Sequence, residues 1–470
     1  MATQCTSNQY EFEWGGRRKV TASFDGGRIS SDGGVLLLRE VERRLGLIER
    51  FSACFIDRRS AESIEHSVEE LVRQRIFGLA LGYEDLIDHD DLRRDALLAA
   101  CVGKRDPSGS DRRRERDRGS ALAGKSTLNR LEWGSHSAEG ACGPYHRIVV
   151  DPEAVERLFV ELFLDSYEKP PERIVLDFDA TDDPLHGNQE GRFFHGYYDC
   201  YCYLPLYVFS GKHLVSARLR RSNIDASAGT VEELERIVGQ IRERFPEVSI
   251  LVRGDSAFAR EEIMVWCERH DVDFCFGLAR NSRLEGFLEP ALVRAEKLAH
   301  EAEGSARVYE EMNYQTLQSW SRPRRVVGKA EWLPRGANPR FVVTSLSKDK
   351  VHSKELYETL YCARGDAENR IKEQQLDLFA TRTSGRLMGV NQVRLWFSAI
   401  AYVLIDALRR LGLAGTSLAN AYCGTIRTRL LKIGARVRLS VRRLWVFLTS
   451  AHPAEGLFAH AFAALQRAGP

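Results

Sequence analysis

The sequence predicts an α/β protein: a mixed sheet with helices on both faces, preceded by a helical region and interrupted by a β-rich stretch. Three observations carry this reading. Residues 151–280 contain three apolar strand-like runs followed by alternating helix and strand patterns; residues 35–103 carry apolar positions at helical spacing; residues 281–350 return to short alternating pieces. Length and composition agree, since 470 residues at 43% hydrophobic and 29% charged suffice for several domains with a buried core.

The net charge of +2 reveals no polyanionic partner, so any affinity for nucleic acid must come from local asymmetry. Such asymmetry exists. From Gly424 to the end there are eight Lys/Arg against the single acid Glu455, and Lys104–Arg118 holds seven basic against four acidic residues. Ten cysteines without a C-x-x-C predict reduced thiols that fill the core, in a cytoplasmic setting. The N-terminus lacks a signal-peptide layout. The longest apolar run, 395–405, is half of the roughly twenty residues a span requires, so no membrane partner is predicted.

In chain order, residues 1–34 read as a β ribbon and N-terminal arm, with glycine-pair turns in FDGGRISSDGG. Residues 35–150 read as a helical DNA-binding region. Its acidic patch YEDLIDHDD suits helix ends and caps better than a metal loop. Gly119–Ser126, GSALAGKS, matches the P-loop pattern letter for letter, which would make the chain an ATP-dependent DNA-binding protein. A working P-loop needs a buried strand feeding the loop, whereas DRRRERDR precedes this one. The segment is therefore read as the lead into a helix, STLNRLEW, capped by Ser126 near nucleic-acid phosphates.

Residues 151–280 form the first part of the core. RIVLDFD, YDCYCYLPLYVF and HLVSARLR are strands, TVEELERIVGQIRERF a helix, SILVRGD a strand, REEIMVWCERH a helix and VDFCFGL a strand. The order β-β-β-α-β-α-β is that of the ribonuclease H fold. Residues 281–350 follow as a β-rich insertion domain. Residues 351–415 return to the core and contain the helix Tyr361–Gln375, and residues 416–470 form a basic C-terminal region.

The chemistry lies at strand ends. Asp179 closes RIVLDFD and Asp255 closes SILVRGD, so the two carboxylates can converge at one end of adjacent strands. On the later helix, Tyr361, Arg364, Glu368, Lys372 and Gln375 share one face, a stripe suited to holding phosphate and metal together. Asp179, Asp255 and Glu368 then supply hard oxygen ligands for Mg²⁺, with Mn²⁺ as a substitute, and two such ions can clamp an in-line phosphoryl displacement. Asp177 lies on the same strand face as Asp179, and alternation alone does not choose between them. Each carboxylate taken alone reads more readily as a cap, and Asp182 and Asp183 are read as turn or capping residues beside Pro184.

DFDATD, LVRGDSAF and the helical Y-x-x-R-x-x-x-E of Tyr361, Arg364 and Glu368 resemble the three catalytic segments of DDE transposases of bacterial insertion sequences. GNQEGRFFHGYYDCYCYLPLY and RGDAENRIKEQQLDLFATRTS are similar to the insertion sequence thirteen-eighty group. The resemblance implies a cut-and-paste transposase that cleaves terminal inverted repeats and joins the freed 3′-hydroxyls to target DNA, as a homodimer on two ends. It implies that Asp179, Asp255 and Glu368 are catalytic, and that Tyr361 and Arg364 grip DNA beside the cut. The related signature places a lysine where this chain has Gln375; Lys372, one turn earlier, stands in for it.

Within the insertion, Trp320 and Trp332 suit stacking on an extruded base, and equally suit packing in a small β core. Arg322, Arg324, Arg325 and Lys329 around them favour DNA backbone contact. Two rival readings are a ribonuclease H-like nuclease without strand transfer and a DNA-binding remnant without catalysis.

Overall fold

A computed structural model describes residues 9–12, 20–135 and 147–467. The parts of the N-terminal ribbon at residues 1–8 and 13–19, residues 136–146 of the helical region, and residues 468–470 of the basic C-terminal region lie outside the described residues. The chain divides into two compact units, one of residues 1–149 with 400–470, the other of residues 150–399.

The 150–399 unit is mixed α/β and built on one nine-stranded sheet. Its strands are β1 (Arg173–Ala180), β2 (Leu206–Ser210), β3 (His213–Arg218), β4 (Ser249–Gly254), β5 (Asp273–Leu278), β6 (Ala306–Tyr314), β7 (Arg324–Leu333) and β8 (Arg340–Thr344). Across the sheet they run β3-β2-β1-β4-β5-β8-β7-β6, and the short strand Gly336–Ala337 pairs with β7. Strands β1, β2 and β3 pair antiparallel, whereas β4 runs parallel to β1 and β5 parallel to β4.

Alternation along β1 sorts its residues between the two faces. Ile174, Leu176 and Phe178 join the larger apolar core with helices α1 (Pro152–Leu164), α2 (Thr230–Arg244), α3 (Glu261–Arg269) and α4 (Ser282–Glu301). Val175 belongs to a smaller core on the other face, where Leu251, Cys275, Val327 and Val342 pack with Leu356 and Tyr357. Asp177 and Asp179 share that face by the same alternation. The start of α1 shows how local sequence fixes an element: the Asp151 carboxylate accepts from the Ala154 N–H, and Pro152 occupies the first turn, where its missing N–H has no partner to lose.

Two expectations change here. YDCYCYLPLYVF is not one strand: Cys200–Tyr203 pairs with Asp183–Pro184 and Phe193–His195 in a small separate sheet, and β2 begins only at Leu206. Pro205 has no N–H to give a ladder, and its carbonyl turns to accept from Thr181. The β-rich stretch 281–350 forms no sheet of its own. Strand β8 pairs along β5, β7 along β8 and β6 along β7, so these strands extend the first five and cover an edge that β5 would otherwise leave unpaired.

In the other unit, helices Val35–Leu45, Val68–Leu81, Ala96–Val102 and Lys125–Glu132 form the helical part. Ser67 and Glu70 close a capping box at the start of Val68–Leu81. The C-terminal region folds with the N-terminal one: strand Ala435–Leu439 pairs with both Arg28–Ser30 and Leu444–Leu448. Helix Met388–Gly412 is long and apolar enough to cross a membrane, but its most apolar window is 72% buried, as in a core helix.

Candidate active site

The site is assembled at one end of β1 and β4. Because these strands are parallel neighbours, with Arg253 opposite Asp177, the residues that follow them emerge on the same side. Asp179 lies opposite Tyr207 of β2. Asp255 is the first residue beyond β4, and its carboxylate accepts from the Ala257 N–H at 2.8 Å, capping the short turn Ser256–Phe258.

The third carboxylate comes from the opposite side of the same face. Residues Leu356–Tyr361 wind as a π-helix, Cys362–Arg364 as a 3-10 turn, and α5 (Gly365–Asp377) continues as an α-helix. The sequence reading of one uniform helix misses this change of pitch. π turns are rare and are frequently found at functional sites. Here the turn has a specific support: Arg253 donates from Nη1 to the Leu360 carbonyl at 2.6 Å. Its other nitrogens hold the Asp177 carboxylate in a two-point pair, at 2.6 and 2.7 Å. Asp177 is therefore paired with Arg253, whereas Asp179 on the same face faces Arg364. Arg253 thus ties the end of β1 to the π turn, and an arginine inside the apolar run SILVRGD was its sequence signal, since a buried charge requires a partner.

Arg364 sits between the carboxylates. Its Nη1 lies 3.6 Å from Asp179 Oδ2 and its Nη2 donates to Glu368 Oε1 at 2.6 Å. The Asp179 side chain is 13% exposed and that of Glu368 42%. Burial pushes the Asp179 carboxyl up to about 7; Arg364 opposes this, while the charges of Asp255 and Glu368 push in the same direction as burial. Among the described residues no three carboxylate, histidine or cysteine side chains stand close enough to hold a metal as they are placed. The donor set is nonetheless right in kind: three oxygen ligands whose mutual repulsion a divalent cation would relieve, as Arg364 relieves it for Asp179 and Glu368.

Tyr361 lies over β5, where a Cβ at Gly277 would stand 2.6 Å from the tyrosine hydroxyl, 3.0 Å from Ser256 N and 3.2 Å from the Asp255 carbonyl carbon. Only glycine allows Tyr361 and the Asp255 turn to meet there. Gln375, where the related signature has lysine, donates to the Asp182 carbonyl at 3.1 Å and so ties α5 to the segment after β1. Lys372 is exposed and forms no ion pair among the described residues.

In the insertion, Trp320 takes the packing alternative, and Arg324 and Arg325 turn out to be held by protein partners. Trp320 is 5% exposed and packs edge-on against Tyr314 at 5.8 Å, so its ring faces the core rather than a base. Arg324 is 4% exposed and bound to Glu261 and Glu268, because β7 alternation puts it on the same face as Val326 and Ala330. Arg325 donates to the Leu346 and Val351 carbonyls and to Glu311. Arg322 is more than half exposed and pairs with Glu268. Trp320, Arg324 and Arg325 thus hold the sheet extension together, and of these four only Arg322 offers a solvent-facing cation.

Gly119–Ser126 makes no phosphate loop. The Leu122 N–H is used by the Arg93 carbonyl, that of Ala123 by Gln74 Oε1 and that of Lys125 by Asp90 Oδ1, while the Lys125 ammonium lies 3.3 Å from Asp90. The amides a P-loop would turn toward phosphate are already spent on protein acceptors. Lys125→Ala is therefore expected to leave metal-dependent DNA cleavage unchanged and to cost less than about 1 kcal/mol of stability, as for an exposed ion pair; rate assays and thermal melts check both.

Asp183, read from sequence as a cap, is buried beside Thr383, and burial pushes its carboxyl up to about 8. The native state then binds this proton more tightly than the unfolded chain does, so stability present in acid is lost as pH rises from 3.8 toward about 8. Asp183→Asn is expected to flatten that part of the profile, which melting temperatures of both proteins against pH will show.

The sheet thus places Asp179 and Asp255 at neighbouring strand ends, and Arg364 joins Asp179 to the helical Glu368. Residues 12–470 match the family described as Transposase DDE domain group 1, so the chain belongs to that family and is a DNA-cleaving transposase. No curated protein matches it. Among solved structures, the cryo-EM structure of a piggyBac transposase synaptic complex with hairpin DNA is similar at 10% identity over 86% of this chain and 81% of that one, with a TM-score of 0.39.

Proposed function

We propose that this transposase cuts the ends of an insertion sequence and joins the freed 3′-hydroxyls to target DNA, with Asp179, Asp255 and Glu368 as its metal-binding catalytic residues. The observation that carries the reading is the meeting of Asp179 and Glu368 on Arg364 at the strand end that Asp255 also closes. Strand order β3-β2-β1-β4-β5, with only the first three antiparallel, supports a ribonuclease H-like core.

Asp179, Asp255 and Glu368 would hold Mg²⁺, which supplies Lewis acidity and a water nucleophile near neutral pH. The chain's own groups do the rest. Arg253 and Asp177 fix the π turn, and with it the position of α5. Arg364 balances the negative charge of the site and lies where it can meet a DNA phosphate, as can the exposed Lys372. Tyr361, whose hydroxyl burial raises above its usual pKa, remains a neutral donor beside Asp255. Two ends must be cut and joined together, so a homodimer on DNA follows from the reaction.

Strand transfer separates this reading from a nuclease without joining. Incubation of the protein with labelled end DNA and a target plasmid in Mg²⁺ is expected to give both nicks and joined products on a denaturing gel. Nicks that never mature into joined products would favour the nuclease.

A further inference from the structure

Away from the carboxylates, the unit of residues 1–149 and 400–470 contains a cavity of about 590 Å³. Guanidinium groups dominate its wall: Arg59, Arg93, Arg112, Arg114, Arg130 and Arg147 line it, with Arg116 beside them. Its acidic lining residues are Glu65, Asp90 and Asp117. Seven positive charges therefore face three negative ones.

Several of these arginines are braced by acids. Arg93 pairs with Asp117 at 2.9 Å and Arg112 with Glu65 at 3.0 Å. Asp90 is held by Lys125. With all three acids engaged, the exposed Arg114 and Arg147 make no ion pair among the described residues. Clustered like charges repel, and a fold keeps them together at a cost unless an anion relieves it.

His66, 5% exposed, adds a second and independent sign. Arg112 Nη1 contacts its Nε2, and a guanidinium can only donate, so Nε2 accepts and the ring proton sits on Nδ1. That Nδ1 is buried and has no hydrogen-bond partner, and His66 lines the cavity. A buried N–H without an acceptor is costly to keep. Burial and the neighbouring cations Lys104, Arg112, Arg93 and Arg59 keep the ring neutral, holding its pKa near 2.

We propose that this arginine-lined cavity is a phosphate-binding site that grips the DNA backbone outside the catalytic centre, through the exposed Arg114 and Arg147 together with the buried Arg112 and His66. The proposal rests on the chain's handling of DNA but not on the assignment of Asp179, Asp255 and Glu368. Phosphate oxygens suit the fork geometry of arginine and accept from a neutral imidazole N–H. Free phosphoanions share this chemistry with the DNA backbone, so the test includes both.

The test uses the full-length protein and the double variant Arg114→Ala/Arg147→Ala, whose two exposed side chains hold no ion pair that folding needs. Affinity for a labelled duplex from the DNA flanking the gene is measured by anisotropy in chelator across a salt series, and tripolyphosphate is titrated in parallel. The variant is expected to bind the duplex at least tenfold more weakly, with a salt slope smaller by about 2, near 0.9 for each lost phosphate contact. Loss of tripolyphosphate binding with unchanged duplex binding would keep the phosphate site and overturn its assignment to DNA. Unchanged binding of both, in a variant whose melting temperature matches the parent, would overturn the proposal. Because chelator silences cleavage, neither result depends on the catalytic carboxylates.

Discussion

Replacement of Asp179, Asp255 or Glu368 by alanine is expected to lower DNA cleavage by roughly a thousandfold or more, because each removes a carboxylate that would hold the divalent cation stabilising the negative charge developed in phosphoryl transfer. Binding of end DNA should change little. Asp179→Ala removes a carboxylate whose charge burial disfavours most, with Asp255 and Glu368 repelling it against the pull of Arg364, so that variant is expected to melt no lower than the parent in chelator. Cleavage rates, anisotropy and thermal melts on the same preparations separate loss of chemistry from loss of fold. A variant that cuts at the parental rate would remove its residue from the site.

The second large effect is structural. Asp177→Ala leaves Arg253 buried without its carboxylate, and removing one partner of a buried pair costs about 3–5 kcal/mol. Asp177 is 2% exposed, so water cannot take over its role. The consequence reaches the site through Arg253 and the Leu360 carbonyl, which set the π turn ahead of Arg364 and Glu368. Denaturant melts are expected to show this loss of stability, and cleavage should fall even at temperatures where the variant is fully folded. Stability lost with cleavage per folded molecule unchanged would show that the pair supports the sheet but not the site.

These two effects mark what the sequence made legible. Strands β1, β4 and β5, and the carboxylates closing β1 and β4, were readable because a buried parallel strand is a short apolar run, and a charge at its end has few places to go. Helices α2 and α3 were readable from their 3.6-residue period. Partnerships across the fold were not. Nothing near SILVRGD says that Arg253 meets Asp177, seventy-six residues earlier, and Leu360, more than a hundred later. Nor does local pattern reveal that β8 pairs with β5, which turned an expected insertion domain into more of the same sheet. Arg324 could have been placed correctly: it leads an alternating run in which Val326 and Ala330 point inward, and the parity of the strand carries it inward with them. The π turn had no signal in the sequence at all, since Tyr361, Arg364 and Glu368 fit an ordinary helix as well.

In the proposed function, Asp179 is a ligand of a divalent cation that the cutting reaction requires. A cysteine in its place offers a soft thiolate, which binds Mg²⁺ poorly and softer ions such as Mn²⁺ better. The most direct measurement is therefore the cleavage rate of end-labelled duplex by Asp179→Cys in Mg²⁺ and in Mn²⁺, beside the parent in both. The account predicts that the variant is inactive in Mg²⁺ and recovers cleavage in Mn²⁺, while the parent works in either. Equal cleavage by the variant in both ions, at the parental rate, would contradict it.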